Sequence, residues 1–434
     1  MSPSSSSAGV GATAVEIAWD ELRGIVGSEH LRPAEPADAV CGVQPRMVAE
    51  PGEEKELAGA LRWANDAGVA VAPRGGGTKL AWGNRPTRLD LILSTARLNH
   101  IVEHAWPDMT LVVEAGTAIA QLQQALAQHG QRLATDPLWP ERATVGGILS
   151  TNDSGTLRIR YGGLRDLIIG VTLALADGTL AKSGGKVVKN VAGYDLPKLA
   201  TGALGTLGVI TRAAFRLHPL PSAGSGRTLT FRAASVSDAN RLIVSLQDTP
   251  LAYSGLQARF SHDAQPAVDV RFDGTAEGVE AQCATTRKIA AFAVESGDSP
   301  EVWQARQQLH DAAAASAALV KFSVLPTRIA AASDALHRAG EKSGIRWSIV
   351  VQGTGLGWAR LEAAQPEALR NPLLSARAEL EKDAGSLAVM RRPAGLETLE
   401  AWGSPGDAFP LMLRVKQQLD SRGTLNPGRF VGGI

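Results

Sequence analysis

Over residues 53–65 the apolar side chains Leu57, Ala60, Leu61 and Ala64 recur at intervals of three and four. That spacing predicts a helix with one buried face, and Gly68 stands just past its end as a stop. The apolar run Val69-Ala70-Val71-Ala72 comes next and predicts a strand, which empties at once into Pro73-Arg74-Gly75-Gly76-Gly77-Thr78-Lys79. Residues 89–93 and 111–114 read as further strands, and Ile119, Leu122 and Leu126 set a short helix ahead of Gly130. Residues 167–174 and 179–182 flank Asp177-Gly178, a hairpin signal. The glycine-spaced Gly202-Ala203-Leu204-Gly205-Thr206-Leu207-Gly208 reads as a tight entry into a strand at Val209-Ile210-Thr211.

The periodicity breaks at Pro219-Leu220-Pro221-Ser222-Ala223-Gly224-Ser225-Gly226, where a domain boundary is expected. Beyond it, strands at 228–232, 268–272, 320–324 and 347–351 alternate with helices at 238–247 and 327–339. That order predicts an antiparallel sheet with helices packed on one face, and so an α+β chain. The alanine-rich stretch 311–319 is expected as a closely packed helix. The pattern shows neither an internal repeat nor a heptad seam.

Composition narrows the function classes. With 434 residues, 44% hydrophobic and 20% charged, the chain can bury a full core and form two domains. Its 44 basic and 43 acidic residues leave a net charge of +1, which gives no reason to expect a nucleic-acid partner. The two cysteines, Cys41 and Cys283, are too few for a zinc or iron–sulfur ligand set, and a reducing cytoplasm is expected. Residues 1–13 lack a basic start and apolar core, and no apolar run reaches membrane-spanning length, so any membrane attachment is expected to be indirect.

The chemistry starts from the glycines. Backbone without Cβ atoms can adopt positive φ and lie close against a ligand, and successive N–H groups then form a nest for an anion such as a phosphate. Thr78, Lys79 and Arg74 are candidate side-chain donors. A lone Gly-Gly-Gly is equally well read as a surface turn. A second segment, Thr144-Val145-Gly146-Gly147-Ile148-Leu149-Ser150-Thr151-Asn152-Asp153-Ser154-Gly155, shifts the balance toward a long ligand that carries phosphates. Neither a P-loop nor a Rossmann glycine fingerprint is present.

The loop at 73–79, the stretch from Asp136-Pro137 through 144–155 to Arg158 and Tyr161-Gly162, and the segment 202–211 together resemble, in order and spacing, the FAD-binding domain of the vanillyl-alcohol oxidase (PCMH) type. The resemblance covers about residues 40–221. It implies a two-lobed FAD-binding domain followed by a cap domain, a ferredoxin-like sheet with helices. The layout is then 1–39 an N-terminal tail and helix, 40–221 the FAD domain, 222–420 the cap, and 421–434 a segment returning to the FAD domain. The cofactor residues it implies are Pro73, Arg74, Gly75, Gly76, Gly77, Thr78, Lys79, Pro137, Thr144, Val145, Gly146, Gly147, Ser150, Thr151, Asn152, Ser154, Gly155, Arg158, Tyr161, Gly208, Val209, Ile210 and Asn426. Covalently flavinylated relatives carry a histidine in the first loop; here the loop is Gly-Gly-Gly-Thr, which implies FAD bound non-covalently.

Val187-Val188-Lys189-Asn190-Val191-Ala192-Gly193-Tyr194-Asp195-Leu196 and Gly423-Thr424-Leu425-Asn426-Pro427-Gly428 resemble the D-2-hydroxyacid dehydrogenase branch, which includes glycolate oxidase. The chain departs from that branch where the chemistry sits. In place of Gly-His-x-Gly-Asp-Gly-Asn-x-His it has Gln352-Gly353-Thr354-Gly355-Leu356-Gly357-Trp358-Ala359-Arg360, and in place of Glu-His-Gly it has Val389-Met390-Arg391-Arg392-Pro393. No catalytic base and no metal ligand is therefore assigned. His100, His104, His129 and His218 read as surface or satisfied core residues. Trp303, Arg306 and Lys321 stand where the branch binds a substrate carboxylate; they are either relics or, the favoured reading, ordinary surface charges paired with Asp and Glu. Cofactor loops without acid–base machinery, and the ending Leu425-Asn426-Pro427-Gly428-Arg429-Phe430, resemble the FAD-binding E subunits of three-subunit bacterial glycolate oxidases. This implies a complex with a catalytic flavoprotein subunit and an iron–sulfur subunit that oxidises glycolate to glyoxylate and passes electrons toward the respiratory chain. The complex would be cytoplasmic, and peripheral at the membrane only through partners. A self-sufficient FAD dehydrogenase and a structural subunit with a relic flavin site are the alternatives.

Overall fold

The computed structural model describes residues 17–185, 194–222, 224–297, 299–341 and 344–434. In the first lobe Leu31–Pro33, Met47–Ala49, Leu91–Ser94 and Val71–Arg74 lie side by side in that order, with parallel pairing among the last three. The helix Glu54–Asp66 connects Met47–Ala49 to Val71–Arg74 and buries Leu57, Ala60, Leu61 and Ala64, the face its spacing predicts. The helix Trp19–Val26 packs on it and adds Leu22 and Val26 to the same core.

A second, five-stranded antiparallel sheet follows in the order Ile101–Ala105, Thr110–Glu114, Val209–Arg216, Ile168–Ala174, Leu180–Gly184. Ile168–Ala174 and Leu180–Gly184 form the hairpin signalled by Asp177-Gly178, and Gly178 has φ +81°. The helix Ile119–Ala127 buries Ile119, Leu122 and Leu126 in this lobe's core. Residues from beyond the second domain also come back here: Val71 N–H donates to the Thr424 carbonyl, and Asn426 N–H donates to the Val71 carbonyl.

From Arg227 onward the chain builds one antiparallel sheet of eight strands. Four helices, Val236–Gln247, Ala276–Ile289, Ile329–Glu341 and Arg370–Glu381, share a core with one face of it, through residues such as Leu242, Val279, Leu336 and Leu373. Strand alternation then decides what the other face does. Ile349, Val351, Ala359 and Val389 point to the helices, while Val350, Trp358 and Met390 point the opposite way, into a cluster with Trp82 and Leu138 of the first domain. The helix Ala305–Asp311 is on this side and contributes Ala305 and Leu309.

The alanine-rich stretch differs from expectation. Helix ends at Asp311, and Ala317–Ser323 is a strand with neighbours on both sides, Leu356–Glu362 and Ser386–Arg391. Two ladders of backbone hydrogen bonds and full burial of Ala317, Ala318 and Val320 outweigh the weak helical preference of alanine. Among the described residues no helix is long and apolar enough to cross a membrane.

Candidate functional site: a glycine cleft and a buried junction

The strand Val71–Arg74 runs into the glycine loop, and that loop lies directly on the chain entering the helix Val145–Thr151. A Cβ on Gly75 would stand 2.0 Å from Thr144 Oγ1, and one on Gly76 would stand 1.7 Å from the Arg142 carbonyl oxygen. Only Gly77 of the three has left-handed backbone, at φ +69°. Two of the three glycines are thus required by loop-on-loop contact, not by the positive φ the sequence reading invoked. Thr144 caps the following helix, its Oγ1 accepting from Gly147 N–H at 3.3 Å. Gly146 is equally constrained, because its Cβ would meet that of Ala115 at 2.8 Å.

Between these loops opens a cleft. It is lined by Pro73 to Lys79, Thr144, Gly146, Gly147, Ser150, Thr151, Gly208, Val209 and Ile210, so most of the sequence-assigned cofactor residues meet in one place. Leu80, Thr95, Leu204, Gly205 and Arg429 line it as well and escaped the sequence reading. Other assigned residues stand outside the lining. Val145 and Pro137 are buried, and Ser154 is buried with an unpartnered Oγ. Gly155 packs on Asp136, where a Cβ would come within 2.4 Å of the carboxylate. Asn152, left-handed at φ +46°, borders a separate recess with Arg158. The Tyr161 hydroxyl accepts from Arg132 at 2.8 Å. Asn426 is buried, donates to the Leu204 carbonyl at 2.6 Å, and keeps Oδ1 unpartnered.

Two expected donors are already committed. Arg74 pairs with Asp38 and, at 3.8 Å, with Glu50. The hydrogen bond from Arg32, aided by Arg74, holds the Asp38 carboxyl well below the usual carboxylate range against its burial. Lys79 pairs with Asp153 at 3.1 Å, both side chains almost fully buried.

Asp153 is the hinge between cleft and second domain. Its carboxylate accepts from Leu138 N–H at 2.9 Å, from Lys79, and from Arg306 at 2.8 Å. Burial alone would raise it, yet Lys79 and Arg306 outweigh that and hold it ionised. Arg306 also donates to the carbonyls of Ser154 at 3.1 Å and Asp136 at 2.8 Å. Arg306 is therefore no surface charge, because its guanidinium is consumed inside the junction. Lys321 also departs from the favoured reading: it forms no ion pair among the described residues, lies 5.5 Å from the Trp358 ring centre, and burial lowers it to about 8. Trp303 supports its own domain, donating to Thr228 Oγ1 at 3.0 Å and packing on Gly255.

His310, one turn beyond Arg306 on the same helix, was missed; the i,i+4 spacing was the available signal. Its ring sits 4.9 Å from Trp358 and 5.3 Å from Trp139, and Trp358 in turn is 5.2 Å from Trp82. Nε2 of His310 and Nε1 of Trp358 are buried without partners. Burial, then the charge of Arg306, pushes His310 down to about 3, so the imidazole is neutral at ordinary pH.

The remaining histidines keep away from the cleft. His100 bonds Glu114 at 3.0 Å, His104 bonds Gln131 at 2.9 Å, His129 stacks on Trp106, and His218 meets the edge of Tyr161. Gln352 and Leu356 end two paired strands, and the glycines between and after them are packing glycines: Gly355 has φ +83°, and a Cβ on Gly357 would stand 2.1 Å from Phe322. Arg391 donates to the Ala313 carbonyl at 2.7 Å, and Arg392 reaches across to the Gly83 carbonyl at 2.9 Å. Among the described residues no three His, Cys, Asp or Glu side chains gather as a metal site. The Val187 to Gly193 part of the 187–196 motif lies outside the described residues.

Residues 45–184 match the FAD binding domain family. Over 173 residues the chain is 37% identical to D-lactate dehydrogenase of Archaeoglobus fulgidus, covering 40% of this chain and 39% of that one. It is 35% identical over 177 residues to glycolate oxidase subunit GlcD of Bacillus subtilis, covering 41% of this chain and 38% of that one. The matched region thus spans about two fifths of each of these relatives. A longer match, 26% identity covering 89% of each chain, is to D-2-hydroxyglutarate dehydrogenase of Xanthomonas citri pv. viticola. The crystal structure of p-cresol methylhydroxylase superposes with a TM-score of 0.76 at 15% identity, covering 94% of this chain and 95% of that one. The fold is accordingly the α+β, two-domain flavoprotein fold of the vanillyl-alcohol oxidase type, and FAD is its cofactor. The residues fit that group: the three-glycine loop lines the cleft with backbone that carries no side chain, and buried polar atoms of Asn426 and Arg429 lack protein partners.

Proposed function

We propose that this chain is the FAD-binding component of an enzyme that oxidises a small 2-hydroxy acid, glycolate being the leading candidate. It works within a complex whose catalytic flavoprotein subunit takes the substrate and whose iron–sulfur subunit carries electrons onward, on the cytoplasmic side of a membrane reached only through those partners. Bound FAD, held non-covalently, supplies two-electron redox chemistry. The residues of this chain bind it: Arg74 to Thr78 line the cleft on one side and Thr144, Gly146 and Gly147 on the other.

The observation that carries the reading is the filled junction. Trp82, Trp139, Trp358 and His310 pack ring against ring, and Arg306 spends its donors on Asp153, Ser154 and Asp136. A 2-hydroxy acid needs a carboxylate clamp and a base for its hydroxyl proton. An imidazole held near 3 is a weak base, and a buried guanidinium that already gives three hydrogen bonds to Asp153, Ser154 and Asp136 is committed to the junction and not to a substrate. The names and shared identity of the D-lactate dehydrogenase and GlcD relatives support the substrate class.

A second reading keeps one observation in its favour. His310 Nε2 is unpartnered and Lys321 has no carboxylate among the described residues, which is what a self-sufficient dehydrogenase would present on opening its junction. Dye reduction decides between them. The purified chain should show a flavin spectrum, release the colour on acid precipitation, and fail to reduce dye with glycolate or D-lactate, while the assembled complex reduces it and loses activity when this chain is deleted. Steady turnover by the isolated chain at rates near those of the complex promotes the second reading, and colour retained on precipitated protein contradicts non-covalent binding.

A further inference from the structure

Three basic side chains line the glycine cleft, and two have carboxylate partners: Arg74 has Asp38 and Glu50, and Lys79 has Asp153. Arg429 has none among the described residues. It is 4% exposed, and its hydrogen bonds to oxygen run through Nη2 alone, to the Leu80 carbonyl at 3.0 Å and the Trp82 carbonyl. Nη2 also lies 4.0 Å from Cys41 Sγ, while Nε is buried with no partner. Burial lowers its pKa, the Cys41 sulfur opposes that only in part, and the nearby Arg392 adds like-charge repulsion. A guanidinium stays protonated regardless, and a buried charge without a counter-charge is expensive. Three residues upstream, Asn426 likewise leaves Oδ1 buried and unsatisfied. One short turn therefore brings an uncompensated cation to the wall of a cleft whose cofactor is an anion.

We propose that Arg429 is a cofactor-binding residue supplied by the C-terminal segment, its guanidinium providing the counter-charge for bound FAD. The inference rests on the FAD reading of the cleft. FAD offers two negative charges of this kind, the pyrophosphate and the charge its ring system gains on reduction, and the same cation serves either.

The test strips flavin from the full-length chain and measures rebinding of FAD and of ADP to wild type, R429K and R429Q, with the FAD reduction potential of each reloaded protein. R429Q should bind FAD at least tenfold more weakly, and R429K should stay within fivefold of wild type because it keeps the charge. If ADP weakens in parallel with FAD, the pyrophosphate is the anion. If ADP is unaffected and the preference for reduced over oxidised FAD falls tenfold, about 30 mV for a two-electron couple, it is the ring. R429Q within twofold of wild type for both ligands and at unchanged potential overturns the proposal, as does R429K binding as weakly as R429Q. Melting by circular dichroism checks each fold. Should R429Q not fold, R429K decides alone: affinity within fivefold supports the counter-charge and a greater loss overturns it. A wild-type chain that fails to rebind FAD would instead sink the cofactor reading of the cleft.

Discussion

The glycine cleft and the buried junction lie on either side of Lys79 and Asp153, and they treat charge in opposite ways. At the junction one carboxylate, Asp153, is shared by Lys79 and Arg306, and every donor of Arg306 that bonds does so to protein. At the cleft, the backbone of three glycines lines open space and, among the described residues, Arg429 stands without a carboxylate. Saturation is what a clamp between domains requires, since a buried pair is costly to break once formed. Incompleteness is what a binding site requires, because the ligand has to contribute the missing charge.

Removing the clamp's centre tests this contrast hardest. Asp153→Ala leaves Lys79 and Arg306 buried and unpaired, and unfolding in urea should show a loss of about 3–5 kcal/mol. A loss under 1 kcal/mol would mean the junction holds nothing together. At the cleft, Gly76→Ala should cost about 1–3 kcal/mol, as its Cβ drives into the Arg142 carbonyl and pushes the loops apart. It should also weaken FAD binding, and a variant with unchanged stability and full flavin occupancy would contradict the loop contact.

The junction's histidine gives a smaller effect with a definite sign. The folded pKa of His310, about 3, lies below its ordinary 6.5, so the unfolded chain takes up a proton as pH falls through 6.5 and the folded chain does not until near 3. Stability should fall across that window by up to about 1.4 kcal/mol per pH unit from this group. Denaturant titrations at pH 7, 6 and 5 on wild type and His310→Gln isolate it, and equal slopes would show that the imidazole is not held neutral. The smallest effect is expected from Gly77→Ala. Its Cβ has ordinary contacts only, at 3.8 Å, so the left-handed φ alone should cost about 1–2 kcal/mol at most, with flavin retained. A Gly77→Ala loss as large as that of Gly76→Ala would reverse the assignment of which glycine does what.

The same contrast explains what the sequence disclosed. The helix over 54–66, the loop at 73–79 and the segment at 144–155 are each continuous in the chain, so periodicity and glycine spacing suffice to find them. Continuity does not reveal what each glycine is for, because Gly76 answers to Arg142, a contact no local pattern records. The junction draws Trp82, Asp153, Arg306, His310 and Trp358 from separate elements of both domains. Arg306 looked like a surface cation because its partner lies on another domain, and alanines 317 and 318 looked helical because the two strands that flank them were not yet in view.

The return of residues 424–426 to the strand Val71–Arg74 carries a consequence for how the molecule is made. Val71 gives its N–H to Thr424 and receives one from Asn426, so the strand that leads into the glycine loop lacks these partners until the whole second domain has been translated. A nascent chain of this kind emerges with its flavin lobe unfinished, even though amino-terminal domains ordinarily fold first during synthesis. A ribosome that stalls anywhere before residue 424 leaves a product whose strand lacks both of these bonds and whose cleft lacks the wall that Arg429 supplies.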